Sequence, residues 1–179
     1  MATTHKDTGL RIQPGGLPAE MKRARKTEAD VNAFLAALDG ESDRGLILTL
    51  GAILDDMCKE WLEEIFSAGT DGIRKELFSF NGPFGTFSGR TKALYCLGKL
   101  SEPLFKDINK LREVRNDAAH KWADFNFTNP KWRAKVEAMV SRVEMHDPNL
   151  DLRFRVKFHG WMLIVSVLGR GVKPDANPV

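Results

Sequence analysis

The sequence predicts an all-α fold, a single helical bundle of about five to seven helices behind a basic N-terminal arm. Three observations favour this class. Apolar residues recur every three or four positions in most segments, which places them on one face of a helix. Residues that commonly cap helices precede several of these segments. The 179 residues, 42% of them hydrophobic, suffice for one core, since domains typically hold about 100 to 150 residues.

Residues 1–26 are predicted to be a flexible, disordered arm, because they combine Gly, Pro and Thr with charges and show no hydrophobic period. Basic side chains are concentrated at its end, at Lys22, Arg23, Arg25 and Lys26. Such a cluster attracts phosphate backbones without reading their sequence. A solvated tail without a partner is the alternative. We expect the helical domain to span 27–170, followed by a disordered tail over 171–179.

The first two helices are predicted at 28–38 and from a cap at Ser42 to about residue 66. The first carries Val31, Phe34, Leu35 and Leu38 on one face. The second carries a longer apolar stripe and has seven acidic but two basic residues over 41–66, which indicates a solvated acidic face on the other side.

A short helical turn over 71–77 leads into a segment with three glycines, a proline and alternating phenylalanines, residues 80–89. This pattern predicts an ordered loop with an aromatic anchor. It does not fit a phosphate-binding loop, because Arg90 follows the last glycine where that motif needs Lys. Phe80, Phe84 and Phe87 are expected to anchor the core, with a base-stacking platform as the alternative.

Three further helices are predicted after this loop. Ser88 is expected to cap the third long helix, over 89–100. Ser101 is expected to cap the fourth, which runs to about residue 122 and whose apolar stripe ends in Arg115. Asn129 and Pro130 start the fifth.

Residues 150–158 alternate between apolar and charged side chains, which is a strand pattern, but the apolar residues over 154–168 also fit a helix. A lone strand would leave its backbone groups unpaired. We therefore predict a helix from Leu152 to Leu168.

Composition argues against several other classes of protein. The longest apolar run, 161–168, is far below the roughly 20 residues that span a bilayer, and no secretory signal precedes the domain, so we expect a cytosolic protein without membrane contact. Cys58 and Cys96 lie in apolar helical patterns and are expected to be buried thiols. No metal site and no cofactor are predicted.

Three segments carry a resemblance to a known family: Arg44-Gly45-Leu46, the run Phe80-Asn81-Gly82-Pro83-Phe84-Gly85-Thr86-Phe87-Ser88-Gly89-Arg90, and the run Leu111-Arg112-Glu113-Val114-Arg115-Asn116-Asp117-Ala118-Ala119-His120. Together they resemble the mannitol operon repressor family of bacterial transcriptional regulators over about residues 28–170. The resemblance implies an all-helical regulator without a familiar helix-turn-helix. Gly82, Pro83, Phe84, Gly85, Ser88 and Arg90 are its motif-loop residues.

The segment from Arg115 to His120 also resembles the Arg-x4-His motif of the HEPN group of helical domains. That resemblance implies a metal-independent ribonuclease with Arg115, Asn116 and His120 as its catalytic residues. The chemistry is reasonable, because His120 could take a proton from a ribose hydroxyl while Arg115 holds the phosphate.

The spacing of this pair leaves alternatives open. Residues five apart on a helix point about 140° apart, so a homodimer that brings two such helices together would be needed for a composite site. Alternatively, Arg115 pairs with Asp55 or Asp56, and Asn116 with His120 closes the helix.

We therefore expect a repressor-like regulator that acts by binding DNA, RNA or a protein partner and is not an enzyme. The HEPN-type endoribonuclease is the second hypothesis, and a pure interaction module the third. Basic residues late in the chain could add a nucleic-acid surface or could form solvated faces; they are Lys131, Arg133, Lys135, Arg153, Arg155 and Lys157.

Overall fold

The computed structural model describes residues 28–120, 125–141 and 150–169. These contain seven helices and no strand, which confirms the all-α prediction. In chain order they are α1 (Glu28–Asp39), α2 (Asp43–Ile65), α3 (Asp71–Phe78), α4 (Phe87–Cys96), α5 (Glu102–His120), α6 (Pro130–Val140) and α7 (Leu152–Leu168).

The long helix α2 is the centre of the bundle, because α4, α5 and α7 all pack against it. Its inward residues are almost all apolar and fully buried, and they are Leu46, Ile47, Leu50, Gly51, Leu54, Cys58, Trp61 and Leu62. Burying apolar surface of this kind is the main favourable contribution to folding. The core therefore lies around α2.

Three of the predicted caps are formed. The Ser42 hydroxyl accepts a hydrogen bond from the Gly45 N–H at 3.0 Å, and the Asn129 side chain accepts one from the Lys131 N–H at 3.1 Å. The Leu104 N–H donates to Ser101 Oγ at 3.4 Å. Each bond satisfies a backbone donor that has no partner inside its helix.

The cap and the end of α4 correct the prediction. Thr86, not Ser88, is the cap, because Thr86 is extended and its hydroxyl accepts from the Gly89 N–H. The helix then ends at Cys96 instead of residue 100, and Gly98 follows with a φ of 66°. A left-handed residue of this kind commonly ends a helix. Leu97, which follows the last residue of the helix, is 45% exposed.

The ambiguous C-terminal segment is a helix, and Gly160 within it has a packing role. A Cβ at Gly160 would lie 2.6 Å from Leu50 Cδ1, which is closer than such atoms can approach. The missing side chain thus lets α7 approach α2 closely.

The two cysteines differ, which corrects the expectation that both are buried. Cys58 lies in the core and Cys96 is exposed. Burial raises the pKa of the Cys58 thiol from 9.0 to about 12, with a smaller contribution from the carboxylate of Asp55. Cys58 therefore stays protonated at neutral pH.

Basic residues of α7 join it to the turn between α1 and α2. Arg153 donates to Asp43 Oδ1 at 2.9 Å and to the Leu38 carbonyl at 3.0 Å, and the buried Lys157 pairs with Asp39. These positive charges lie at the C-terminal end of α1, where they are also favourable to the dipole of that helix. Two of the six late basic residues are thus used to fix α1, instead of lying on a solvated face.

No helix among the described residues has the length and hydrophobicity that crossing a membrane would need.

Candidate functional site

The candidate polar segment lies at the C-terminal end of α5. The helix runs unbroken through Arg115 and Asn116 to His120. Arg115 and Asn116 are half-buried and His120 is exposed. Arg115 Nη1 donates to Asn116 Oδ1 at 3.3 Å. Because the helix is continuous here, Arg115 and His120 point about 140° apart within one chain.

Gly51 of α2 determines where the Arg115 side chain lies. A Cβ at Gly51 would be 2.7 Å from Arg115 Cγ and 3.2 Å from Arg115 Cβ. The aliphatic part of Arg115 therefore packs against the backbone of α2 at Gly51, which has no side chain. This contact was not predicted, although a glycine inside an otherwise strong helical stripe was a signal of close approach.

The predicted pairing of Arg115 with Asp55 or Asp56 is wrong. Asp55 binds Arg90 Nη1 at 2.5 Å, and Asp56 is exposed. Among the described residues, no carboxylate forms an ion pair with Arg115. Asn116 takes its hydrogen bond from Arg115 and not from His120.

The rest of the α5 end is tied to its neighbours. Arg44 Nε, at the start of α2, donates to the Ala118 carbonyl at 2.8 Å. Asp117 forms an ion pair with Lys135 of α6. The end of α5 is thus fixed between α2 and α6, with His120 at its edge.

The glycine-rich loop between α3 and α4 is closed by its own backbone. The Phe84 N–H donates to the Leu77 carbonyl at 2.9 Å, and the Gly85 N–H donates to the Gly82 carbonyl at 3.0 Å. A Cβ at Gly82 would lie 2.2 Å from the Glu76 carbonyl oxygen, and one at Gly85 would lie 2.3 Å from that of Ser79. Only glycine fits at either position.

Arg90 joins this loop to α2. Its guanidinium is nearly buried, donates from Nε to the Phe84 carbonyl at 2.8 Å, and binds Asp55 with Nη1. Nη2 lies 3.4 Å from the Gly85 carbonyl. One side chain thus binds two loop carbonyls and the half-buried carboxylate of Asp55, which the planar array of five guanidinium donors allows.

The other motif-loop residues also serve the fold. Pro83 contributes a carbonyl oxygen that would lie 2.4 Å from a Cβ at Gly89. The Ser88 carbonyl accepts from the buried Thr91 hydroxyl at 3.2 Å. Position 89, in the first turn of α4, therefore needs glycine.

The three phenylalanines of the loop have different environments. Phe84 packs against Phe66 and Phe78, with ring centroids 5.1 and 5.4 Å apart, and Phe87 is buried. Phe80 is 86% exposed. The core-anchor prediction is confirmed for Phe84 and Phe87 and is wrong for Phe80.

The three segments that carried the resemblance meet along one stripe of α2. Arg44, Gly51 and Asp55 are seven and four positions apart, so they lie on the same helix face, and they contact Ala118, Arg115 and Arg90 respectively. A family model described as mannitol repressor matches residues 30–154, which is more than half of the chain.

The chain belongs to the mannitol repressor family.

The mannitol repressor match includes most of α1, all of α2 to α6 and the start of α7. It therefore covers all three segments, and the chain is a repressor-like regulator by family. A search of curated proteins finds no match to this sequence.

Two predictions concern the basic arm and the absence of a metal site. Lys22, Arg23, Arg25 and Lys26 lie outside the described residues and before the mannitol repressor match. Within the described ranges, no three His, Cys, Asp or Glu side chains are grouped as a metal site would require.

Proposed function

We propose that this mannitol repressor family member is a cytosolic regulator that contacts nucleic-acid phosphates through its basic arm and performs no catalytic step. The helical domain positions the arm and offers surfaces to protein partners. This division of roles between arm and domain is supported by the ion pairs that the basic side chains of the domain form within it.

Basic residues of the domain are largely engaged in holding it together. Arg90 is bound to Asp55, Arg153 to Asp43 and Lys157 to Asp39. On α6, Arg133 pairs with Glu137, and Lys135 pairs with Asp117 of α5. A charge that is neutralised within the protein contributes little to the release of counterions from a nucleic acid.

In the arm, by contrast, basic side chains outnumber acidic ones. Residues 1–26 hold six basic and two acidic side chains, and four of the basic ones stand within five positions, at 22–26. Attraction of such a cluster to phosphates is Coulombic, so it does not depend on base sequence and weakens with salt. Selection of an operator sequence would then come from a second contact, which we assign to a protein partner of the domain.

The test compares full-length proteins in fluorescence anisotropy with a labelled DNA duplex. Neutralising the arm by Lys22→Gln, Arg23→Gln, Arg25→Gln and Lys26→Gln is expected to weaken binding at least tenfold. A matched variant changes four exposed lysines of the domain, Lys75→Gln, Lys92→Gln, Lys99→Gln and Lys131→Gln. Equal losses in the two variants would refute the assignment to the arm.

A second candidate function, a HEPN-type endoribonuclease, is favoured by one observation. Arg115 forms no ion pair with a described carboxylate, and His120 on the same helix is exposed. The two side chains diverge within one chain, so this function needs α5 of a second copy to complete the site.

The nuclease candidate has a direct test. Wild-type protein would cleave labelled RNA in excess chelator, and His120→Ala would abolish cleavage with an unchanged melting temperature. If His120→Ala lowers the melting temperature instead, the histidine is structural. If the wild type leaves RNA intact, the nuclease candidate is excluded.

A further inference from the structure

Tyr95, the single tyrosine of the chain, lies in the last turn of α4 and stacks on Phe105 of α5. The ring centroids are 4.4 Å apart and the ring planes are inclined by 12°, so the rings are nearly parallel. Phe105 is half-buried and packs against the core, whereas Tyr95 is 37% exposed. Tyr95 is therefore the outer ring of the stack. We call these two residues the aromatic pair.

The backbone that carries Tyr95 is fixed by the turn after α4. The Gly98 N–H donates to the Tyr95 carbonyl, and the Lys99 N–H donates to the Leu94 carbonyl, both at 2.9 Å. These two bonds, with Gly98 in the left-handed conformation, close the end of the helix. A ring on a fixed backbone loses less conformational entropy when a ligand stacks on it, which favours a role in binding.

A chain of hydrogen bonds joins the aromatic pair to an arginine on the same face of α5. Asn109 Nδ2 donates to the Phe105 carbonyl at 3.0 Å, and Arg112 Nε donates to Asn109 Oδ1 at 3.2 Å. Residues at i, i+4 and i+7 share one helix face. Among the described residues, no carboxylate forms an ion pair with Arg112. Its two terminal nitrogens are thus available to an anion.

Two lysines add positive charge beside the aromatic pair. Lys92 lies one helical turn before Tyr95, and Lys99 lies in the turn after α4. Both are exposed, and within the described ranges neither forms an ion pair. Glu102, at the start of α5, is neutralised by Lys106. The surface therefore has an excess of positive charge around an exposed ring, which is the combination that binds phosphates and bases together.

We propose that this surface binds single-stranded nucleic acid, with one base stacked on Tyr95 and a phosphate of a neighbouring nucleotide held by Arg112. Phe105 and Arg112 are about 10 Å apart along α5. This distance exceeds the reach from a base to its own phosphate, so the site fits a strand better than a free nucleotide. Bases inside a duplex are already stacked on each other and do not reach a side chain on an open surface.

The single-strand site does not rest on the proposed function, which concerns duplex phosphates and the basic cluster at 22–26. Because that cluster would also attract a single strand, both experiments use the full chain with the four arm residues changed to Gln. Loss of duplex binding in that variant tests the arm. Retention of single-strand binding by the same protein tests the aromatic pair.

The first experiment observes Tyr95 directly. With 3-fluorotyrosine incorporated, the protein has one fluorine resonance, since the chain has one tyrosine. An oligothymidylate of about eight nucleotides is expected to shift this resonance to saturation. As DNA, this strand has no 2′-hydroxyl that a ribonuclease could use. An abasic strand of equal length, a duplex and thymidine monophosphate should each shift the resonance much less.

The second experiment measures affinity for the same labelled strand by fluorescence anisotropy. Tyr95→Ala should weaken binding about fivefold or more, because base stacking on an aromatic side chain is lost. Tyr95→Phe keeps the ring and should bind like its parent. Phe80→Ala, at an exposed phenylalanine of the glycine-rich loop, is the control and should change nothing. Circular dichroism melts check that all three variants fold.

The role of Arg112 is tested by the salt dependence of the same affinity. Arg112→Gln should lower the slope of log Kd against log salt by about 0.7, the value for one phosphate contact on a single strand. Arg133→Gln, at an arginine that is already paired with Glu137, should leave the slope unchanged.

Three results would overturn the proposal. A fluorine resonance that does not move at about 1 mM strand would mean that no base reaches Tyr95. Equal shifts with the intact and the abasic strand would mean that stacking is absent. An affinity that Tyr95→Ala leaves intact, or that Phe80→Ala weakens instead, would place the contact elsewhere on the molecule.

Discussion

At the scale of single residues, α2 contacts α5 through a glycine and α4 through a carboxylate. Gly51 makes room for the stem of Arg115, and Asp55 neutralises Arg90. Neither pair could be predicted from the sequence, because partners 64 and 35 positions apart are chosen by how the helices pack. One alternative paired Asp55 with Arg115, and in the structure its partner is instead the nearly buried guanidinium of Arg90.

The effect of Gly51→Ala on the free energy of unfolding is expected to depend on the Arg115 side chain. Replacing a helical glycine by alanine normally stabilises by about 0.5 to 1 kcal/mol. Here the added Cβ would meet Arg115 Cγ at 2.7 Å, so we expect a net loss of about 1 kcal/mol in urea unfolding. In an Arg115→Ala background the same change should cost less, because only the contact with Cβ of residue 115, at 3.2 Å, remains. Gly72→Ala, where nothing lies within 4 Å, is the control and should stabilise in both backgrounds.

Arg90→Ala is expected to destabilise the domain by about 2 to 4 kcal/mol, because it leaves Asp55 and two loop carbonyls without their donor. Chemical denaturation measures this loss. Arg133→Ala removes an exposed helical ion pair and should cost about 0.5 kcal/mol or less. Similar losses in the two variants would contradict the role given to Arg90.

Cys58 should make stability fall at alkaline pH. Its pKa is about 12 in the folded protein against 9.0 for an unperturbed thiol, so the unfolded chain loses the proton first. The stabilisation is complete below pH 9 and is lost as the pH rises towards 12. Between pH 8 and 10, wild type should lose about 1.4 kcal/mol more than Cys58→Ala in urea unfolding. Parallel curves for the two proteins would show that the thiol is not buried in solution.

At the scale of elements, periodicity predicted the helices well and their ends less well. The C-terminal segment was predicted as a helix because a lone strand could not satisfy its backbone, and α7 confirms that argument. The start of α4 was predicted two residues too late. Thr86 and Ser88 are both residue types that cap helices well, and only the backbone angles distinguish them. The loop was recognised as ordered, but which phenylalanine would be exposed depends on tertiary contacts.

Gly85→Ala should open the loop between α3 and α4. The new Cβ would lie 2.3 Å from the Ser79 carbonyl oxygen, which backbone hydrogen bonds hold in place, so we expect a loss of about 2 kcal/mol or more. Hydrogen exchange should rise in residues 79–90 before it rises in α7. Unchanged exchange in this segment would mean that the loop is not closed as described.

At the scale of the whole molecule, the family segments converge on α2 and maintain the bundle, while the cluster of basic residues at 22–26 stands outside the family match. The fold class and the family were predicted from the sequence, whereas the flexible arm stays a prediction. The contacts that the motif residues make with α2 could not be predicted, because a motif marks which residue types are needed and not whether they serve packing or chemistry.

The dependence of DNA affinity on salt concentration tests the central claim most directly. The slope of log Kd against log salt scales with the number of phosphates contacted, at about 0.9 per contact on duplex DNA. If the arm makes the contacts, the four-residue arm variant should lose about 3 to 4 from the wild-type slope, since four cations are removed. The variant with four neutralised domain lysines should keep the wild-type slope. Equal slopes for the arm variant and the wild type would contradict the account.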